Sequence, residues 1–135
     1  MKYRIVVAAL ALTVTTTAFA WWTPSTAKRV QIDIKPCSNP NTINAKSHGV
    51  VPVAIYADEG FDVHDVIVAS LSFLGARPCK YSYEDNYLML HFYKDDMAFP
   101  VNGMHTVYIS GYYYKNDRLK RFYGQDTIRI THSGK

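Results

Sequence analysis

Histidines and carboxylates, the side chains that most often carry out hydrolytic chemistry, are scattered along this chain of 135 residues. No two of the five histidines lie two or four positions apart, the spacings that would place them on one face of a strand or a helix. Two acidic pairs, Glu84-Asp85 and Asp95-Asp96, fall where turns are expected, and carboxylates there usually accept hydrogen bonds from backbone amides. No serine or cysteine stands out with a base beside it. The sequence therefore predicts a protein that is not an enzyme and that binds no cofactor.

Tyrosine is the residue type whose number and spacing stand out, with eleven in the chain. In residues 104–114 tyrosines alternate with apolar side chains, and residues 87–93 repeat the pattern with two tyrosines and a histidine. Successive side chains of a strand point to opposite faces, so both sets are expected on an outer sheet face. If the two strands pair, the sets form one patch, which Tyr81, Tyr83 and Tyr123 would extend. The candidate binding residues are Tyr87, His91, Tyr93, Tyr108, Tyr112 and Tyr114.

Three interpretations of this patch remain open. Cross-strand tyrosine pairs stabilise a solvated sheet by a few tenths to about 1 kcal/mol each, which needs no ligand. A flat ring with a polar tip also suits a protein interface, where tyrosine is enriched. The same rings can stack on sugars, as in a carbohydrate-binding module. We expect a binding or accessory subunit that contacts another protein, with glycan binding as the alternative.

The N-terminus has the three-part layout of a secretory signal peptide. A basic head at Lys2 and Arg4 precedes an apolar run over residues 5–14, and Ala18-Phe19-Ala20 offers small residues to a signal peptidase. We therefore expect a secreted, periplasmic or cell-surface protein that is cleaved after Ala20. The alternative is an uncleaved anchor with Trp21-Trp22 at the membrane interface, and only then would the protein belong to a membrane complex.

The charge of the exported part is nearly balanced. Cleavage after Ala20 would leave 115 residues with 13 basic and 11 acidic side chains, a net charge of +2. No dense run of lysine and arginine is present. Nucleic acid is therefore not an expected partner, because binding to phosphates needs a basic stripe or patch.

The two cysteines, Cys37 and Cys79, both lie in the exported part. An even number of cysteines in an oxidising compartment favours a disulfide. The bridge would close a loop of roughly forty residues and contribute about 3–4 kcal/mol in the chain-entropy model. A thiolate metal site would need further close ligands, and none lies beside either cysteine. The sequence therefore predicts a Cys37–Cys79 disulfide and no metal.

Beyond residue 29 the sequence shows the period-two alternation of half-buried strands. We expect strands over residues 30–35, 50–56, 87–93 and 104–114, and a loop over residues 36–48. Short strands separated by turn signals predict an all-β fold, a small antiparallel β-sandwich that is Ig-like in general architecture. The expected organisation is a signal peptide over residues 1–20, a tether over 21–29 and a single β-sandwich domain over 30–132.

The sequence between residues 30 and 130 resembles a small domain of secreted bacterial proteins with the pattern IDIKPGSxPNxINxKSxGVxPVAIL…FDV…DTIR. The matching stretches are IDIKP at residues 32–36, SNPNTIN at 38–44, KSHGVVPVAI at 46–55, FDV at 61–63, SG at 110–111 and QDTIRI at 125–130. The resemblance implies an extracellular β-rich domain of unknown function with no established catalytic role.

Two departures from that family pattern bear on sites. Cys37 stands where the family usually has a small residue such as glycine. Many members also carry an acidic EDVNGDG loop of the kind that binds calcium, but here only Glu84-Asp85-Asn86 remains. Calcium needs six to eight oxygen ligands, so Glu84 and Asp85 are weak calcium candidates and a solvated turn is the expectation.

Overall fold

The computed structural model describes residues 27–38 and 41–133. The predicted signal peptide and most of the predicted tether lie outside these residues. Within them the protein is all-β, with three short 3-10 turns at Val63–Asp65, Val68–Ser70 and Lys94–Asp96 and no α-helix. The strands are β1 (Lys28–Arg29), β2 (Ile32–Ile34), β3 (Thr42–Asn44), β4 (Val50–Tyr56), β5 (Ser72–Phe73), β6 (Lys80–Tyr83), β7 (Tyr87–Tyr93), β8 (Gly103–Lys115) and β9 (Arg118–Thr131).

These strands form two sheets. The first, here the β8–β9 sheet, has the order β1-β9-β8-β5, and β3 also pairs with β9. The second, here the β4–β7 sheet, has the order β2-β4-β7-β6. Strands β1 and β3 run parallel to β9, and the other pairings are antiparallel. The prediction of an all-β fold is therefore confirmed, while residues 28–29, expected in the tether, pair with β9.

A single hydrophobic core lies between the inner faces of the two sheets. The rings of Phe73 in β5 and Phe92 in β7 meet across it with centroids 5.3 Å apart. The sheets approach closely at Gly124 in β9, where an added Cβ would lie 2.4 Å from Cγ2 of Ile32 in β2. Glycine is needed there because any side chain would push the two sheets apart.

A single patch would require the strand over 87–93 to pair with the strand over 104–114, and the structure does not pair them. Strand β7 pairs with β4 on one edge and with β6 on the other, so it has no edge left for β8. Strand β8 instead forms a long hairpin with β9, from the pair Gly103–Ile130 to the pair Lys115–Arg118. Residues 94–102 carry the chain from one sheet to the other. The two sets of tyrosines therefore lie on opposite outer faces of the molecule.

The expected Cys37–Cys79 disulfide is not formed, and both cysteines are exposed free thiols. Cys37 follows β2 and Cys79 precedes β6, which are the two edge strands of the β4–β7 sheet. Three strand spacings separate these edges, a distance of roughly 14 Å. A disulfide needs the two Cα atoms within about 7 Å, so β4 and β7 keep the cysteines apart.

Candidate binding face

Strand β8 sorts its side chains by alternation. Val107, Ile109 and Tyr113 point inward and are buried. The side chains between them point outward, and Tyr108, Tyr112 and Tyr114 are 54%, 39% and 53% exposed. The strand thus presents its predicted candidate residues to solvent from a backbone that is paired with β9 along its whole length.

Strand β9 completes this surface through its register with β8. Arg121 lies opposite Tyr112, Leu119 opposite Tyr114, and Tyr123 opposite Ser110. The ring of Tyr123 is 6.4 Å from that of Tyr108, which confirms that both project from the same side. We call this outer surface the tyrosine face, and its larger side chains are Met104, Tyr108, Tyr112, Tyr114, Leu119, Arg121 and Tyr123.

The middle residue of the Tyr112-Tyr113-Tyr114 run belongs to the core rather than to the tyrosine face. Its ring packs 5.1 Å from Phe61 and 6.0 Å from Phe122. These edge-to-face contacts anchor the hairpin beneath its two exposed neighbours. Tyr112 and Tyr114 are therefore held in place by Tyr113 between them, whose ring packs against Phe61 and Phe122 in the core.

The other three candidate residues lie on the outer surface of the β4–β7 sheet, here the back face, formed by the outward side chains of β4 and β7. Tyr87 is half-buried, with its ring 5.7 Å from that of Tyr56. His91 is half-buried as well, and its Nδ1 is buried without a hydrogen-bond partner in the described structure. Tyr93 alone of the three is strongly exposed, at 53%. The structure therefore brings Tyr87, His91 and Tyr93 together with one another but not with the tyrosine face.

Tyr81 and Tyr83 form a third aromatic group and join neither face. They lie on β6 opposite Leu90 and Leu88, at an edge that leaves them exposed. The Tyr83 ring stacks on His64 with the ring centroids 4.8 Å apart, and the partial burial of its hydroxyl, followed by the nearby Tyr81, raises the pKa of Tyr83. His64 Nδ1 lies 3.0 Å from Asp62 Oδ1.

The carboxylate of Asp62 has a local structural role. Its Oδ1 accepts a hydrogen bond from the backbone N–H of His64 at 2.9 Å, which caps the turn at Val63–Asp65. This backbone bond, with the bond to the His64 ring, lowers the pKa of Asp62. The Asp62–His64 pair is therefore accounted for by turn formation.

Two open pockets among the described residues lie near Tyr108 and near Asp62. One, of about 390 Å³, opens beside Tyr108 between Leu74, Phe99 and Pro100, so it borders the tyrosine face. The other, of about 500 Å³, lies among acidic loop residues that include Asp58, Glu59, Asp62 and Asp65. Two lysines lie at this second pocket. Lys28 Nζ is 3.3 Å from the Asp58 carboxylate, and Lys115 Nζ donates a hydrogen bond to the carbonyl of Gly60.

Glu84 and Asp85, the weak calcium candidates, lie in the exposed turn between β6 and β7. The Ser82 hydroxyl donates a 3.2 Å hydrogen bond to Glu84. Within residues 27–38 and 41–133, no group of three or more His, Cys, Asp or Glu side chains can hold a metal ion. No helix in the same part of the chain has the length and apolar character needed to cross a membrane.

Arg121 and Leu119 are members of the tyrosine face that the sequence analysis did not single out. Their signal is the alternation of β9 itself: Phe122 is buried, so Arg121 beside it and Leu119 two residues before Arg121 point outward. Comparison with known proteins finds no family model, curated protein or solved structure that matches this chain. The case for a function therefore comes from the geometry of the face.

Proposed function

We propose that this chain is an exported, non-catalytic accessory subunit that binds another extracytoplasmic protein through the tyrosine face. The observation that carries the proposal is the exposure of Tyr108, Tyr112 and Tyr114 on one side of a single strand, beside Leu119 at 56% exposure. Large contiguous apolar patches are uncommon on soluble monomers and often mark interaction sites. Tyrosine and arginine are also the side chains that most often dominate the binding energy of protein interfaces.

The remaining parts of the proposal come from the sequence. Export relies on the signal-peptide layout of residues 1–20, and an uncleaved anchor would make the chain a membrane-complex subunit instead. The intact mass of the native protein separates these two cases, because cleavage after Ala20 leaves residues 21–135. We further propose that the two sheets form an Ig-like β-sandwich and that the chain belongs with the secreted bacterial domain it resembles.

A carbohydrate-binding module is the second candidate, and one observation favours it. The rings of Tyr108 and Tyr123 lie side by side on the tyrosine face, and an open pocket begins next to Tyr108. Adjacent exposed rings can stack on successive sugars. In that case the protein would be retained on an insoluble cell-wall or plant polysaccharide, and Tyr108→Ala with Tyr112→Ala would abolish the retention.

The deciding experiment is an affinity isolation of the tagged protein from its own host in mild detergent, with partners quantified by mass spectrometry. Three chains are compared: the unaltered protein, Tyr108→Ala/Tyr112→Ala, and Tyr87→Ala/Tyr93→Ala as the matched control on the back face. We expect a stoichiometric partner with the unaltered chain and the control, and at least a tenfold loss with the first variant. Equal recovery with all three chains would contradict the proposal, as would a protein that is isolated alone.

A further inference from the structure

The tyrosine face carries positive charge and no carboxylate among its outward positions. Arg121 lies within it, and the register places two more arginines on the same side: Arg29 in β1 opposite Tyr123, and Arg129 in β9 opposite Met104. Arg29 and Arg129 are exposed. Arg29 and Arg129 therefore place two exposed positive charges on the face, although the exported chain as a whole is nearly neutral.

All eleven acidic residues of the chain lie elsewhere. Asp126 is on β9 but faces the other way, where it accepts hydrogen bonds from the Ile34 backbone N–H at 3.0 Å and from Asn41 Nδ2 at 3.1 Å. Asp117 is in the turn at the end of the β8–β9 hairpin. The other nine, on β2 and in loops and turns, are Asp33, Asp58, Glu59, Asp62, Asp65, Glu84, Asp85, Asp95 and Asp96. Within the described residues, no carboxylate lies opposite Arg29 or Arg129 in the sheet, and the positive charge that we attribute to the face comes from these two arginines.

We infer that the partner of the tyrosine face is a protein surface with an apolar centre and a rim of aspartate and glutamate side chains. The inference rests on the proposed function and specifies the chemistry of the partner. Charge complementarity of this kind steers association and sets partner choice. Arginine on the face suits carboxylates because its planar guanidinium can donate two parallel hydrogen bonds to one of them.

The apolar members of the face favour a protein over an acidic polysaccharide or a nucleic acid. Met104 is 50% exposed and Leu119 is 56% exposed. Aliphatic side chains gain stability when another apolar surface removes them from water, and sugar hydroxyls or phosphates do not provide that surface. Tyrosines between these two residues extend the apolar area along the hairpin.

The test uses a random copolymer of glutamate and tyrosine as the probe, with polygalacturonate and polylysine as comparators, and measures Kd by titration calorimetry. We expect binding of the copolymer only, with Kd rising at least tenfold between 50 and 300 mM NaCl because exposed charges are screened. Arg29→Glu/Arg129→Glu should weaken binding at least tenfold. Lys46→Glu/Lys80→Glu, which makes the same change in net charge at exposed sites off the face, should change Kd less than twofold.

Each other result overturns the inference. Tighter binding of polygalacturonate would identify an acidic glycan ligand. Equal Kd values for the two charge variants would mean that net charge alone attracts the copolymer. A doubled mass in sedimentation equilibrium that is lost with the arginine variant would identify a second copy of this chain as the occupant.

The same variants separate this inference from the proposed function. One result of the affinity isolation is loss of the partner with Tyr108→Ala/Tyr112→Ala and its retention with Arg29→Glu/Arg129→Glu. This result would support the proposed function and contradict the inference that the partner has an acidic rim. Retention of the partner by both variants would overturn the two together. The melting temperature of each variant shows whether a loss of binding is a loss of folding.

Discussion

The two outer faces of this molecule have similar tyrosine patterns, but their outward side chains differ in how far they are exposed to solvent. On the tyrosine face the outward rings of β8 stay 39% to 54% exposed. On the back face Tyr87 and His91 are half-buried, and Ala54, opposite Met89 on the neighbouring strand, is only 1% exposed although it points outward. The middle of the back face is covered by its own side chains and only its end at Tyr93 is strongly exposed, whereas all three outward rings of β8 are open to solvent. Alternation alone therefore shows which residues leave the core but not which of them are available for binding.

The cross-strand partners explain this difference. On the back face Tyr56 lies directly opposite Tyr87, with the ring centroids 5.7 Å apart, and the small Ala54 lies opposite the larger Met89. On the tyrosine face Tyr112 is opposite Arg121 and Tyr114 is opposite Leu119, so no two rings lie directly opposite. Directly opposed aromatic side chains cover each other and stabilise a sheet. On the tyrosine face only the diagonal rings of Tyr108 and Tyr123 are neighbours, at 6.4 Å, and Tyr112 and Tyr114 have no ring opposite them. The back face is thus suited to stability and the tyrosine face to association.

The largest effect on stability is expected where the inner faces of the two sheets pack against each other. The tyrosine face and the back face are separate only while this packing holds. Gly124→Ala would place a Cβ 2.4 Å from Ile32 Cγ2 and 3.1 Å from the Val30 carbonyl oxygen. Overpacking of this kind costs about 1–3 kcal/mol of unfolding free energy. Urea unfolding measures the loss, with Thr127→Ala, an exposed position on the same strand, as the control. Equal stability of the two variants would mean that the sheets do not approach at this point.

The next prediction is a crossed comparison of one tyrosine from each face. Tyr87→Ala removes the ring that packs against Tyr56 and should lower the unfolding free energy by about 1 kcal/mol. Tyr114→Ala removes an exposed ring and should change it by less than about 0.5 kcal/mol. Thermal unfolding of both variants checks the pair. A larger loss for Tyr114→Ala would reverse the roles assigned to the two faces.

A smaller effect of opposite sign is expected at His91 on the back face. Its Nδ1 is buried and has no hydrogen-bond partner in the described structure. A buried polar atom without a partner costs free energy, and an apolar side chain of similar size avoids that cost. His91→Leu should therefore raise the unfolding free energy by about 0.5–1 kcal/mol and leave association unchanged. His48→Leu, at an exposed histidine bound to Asp95, should give no gain; weaker partner binding by His91→Leu would implicate the back face in association.

The all-β fold could be predicted from the sequence because a strand that is buried on one side has apolar residues at every second position. The predicted strands over 50–56 and 87–93 agree with β4 and β7, whose inward side chains are all apolar. Strand β6 has no such buried side, since all four of its residues, Lys80 to Tyr83, are exposed. Strand β3 is three residues long and lies inside the segment predicted as a loop.

The arrangement of the candidate residues could not be predicted, for a different reason. The phase of a strand depends on its own residues, but its neighbours in the sheet depend on contacts between distant parts of the chain. Whether β7 pairs with β4 or with β8 decides whether Tyr93 and Tyr112 share a face, and no local pattern encodes that choice. The disulfide prediction failed in the same way, because cysteine count and compartment say nothing about the β4 and β7 strands that lie between the two edges.

The smallest expected effect concerns the electrostatics of the back face. Burial, and then the nearby charge of Asp126, raise the pKa of Asp33, which lies opposite Ala54. A carboxyl whose pKa is higher in the folded state binds its proton more tightly there, so its ionised form disfavours folding at neutral pH. Asp33→Asn should therefore stabilise the protein at pH 7 by up to about 0.5 kcal/mol.

The pH dependence distinguishes charge from packing as the origin of that gain. As the pH falls through the folded pKa of Asp33, the unaltered protein acquires the proton, and the advantage of the asparagine should shrink and vanish near pH 3, below the ordinary value of 3.8. Melting temperatures of both chains between pH 3 and pH 7 measure this. Asp85→Asn, in the exposed turn before β7, makes the same charge change and should show no comparable gain at pH 7. An Asp33→Asn gain that is as large at pH 3 as at pH 7 would assign the gain to packing and not to the charge of the half-buried Asp33.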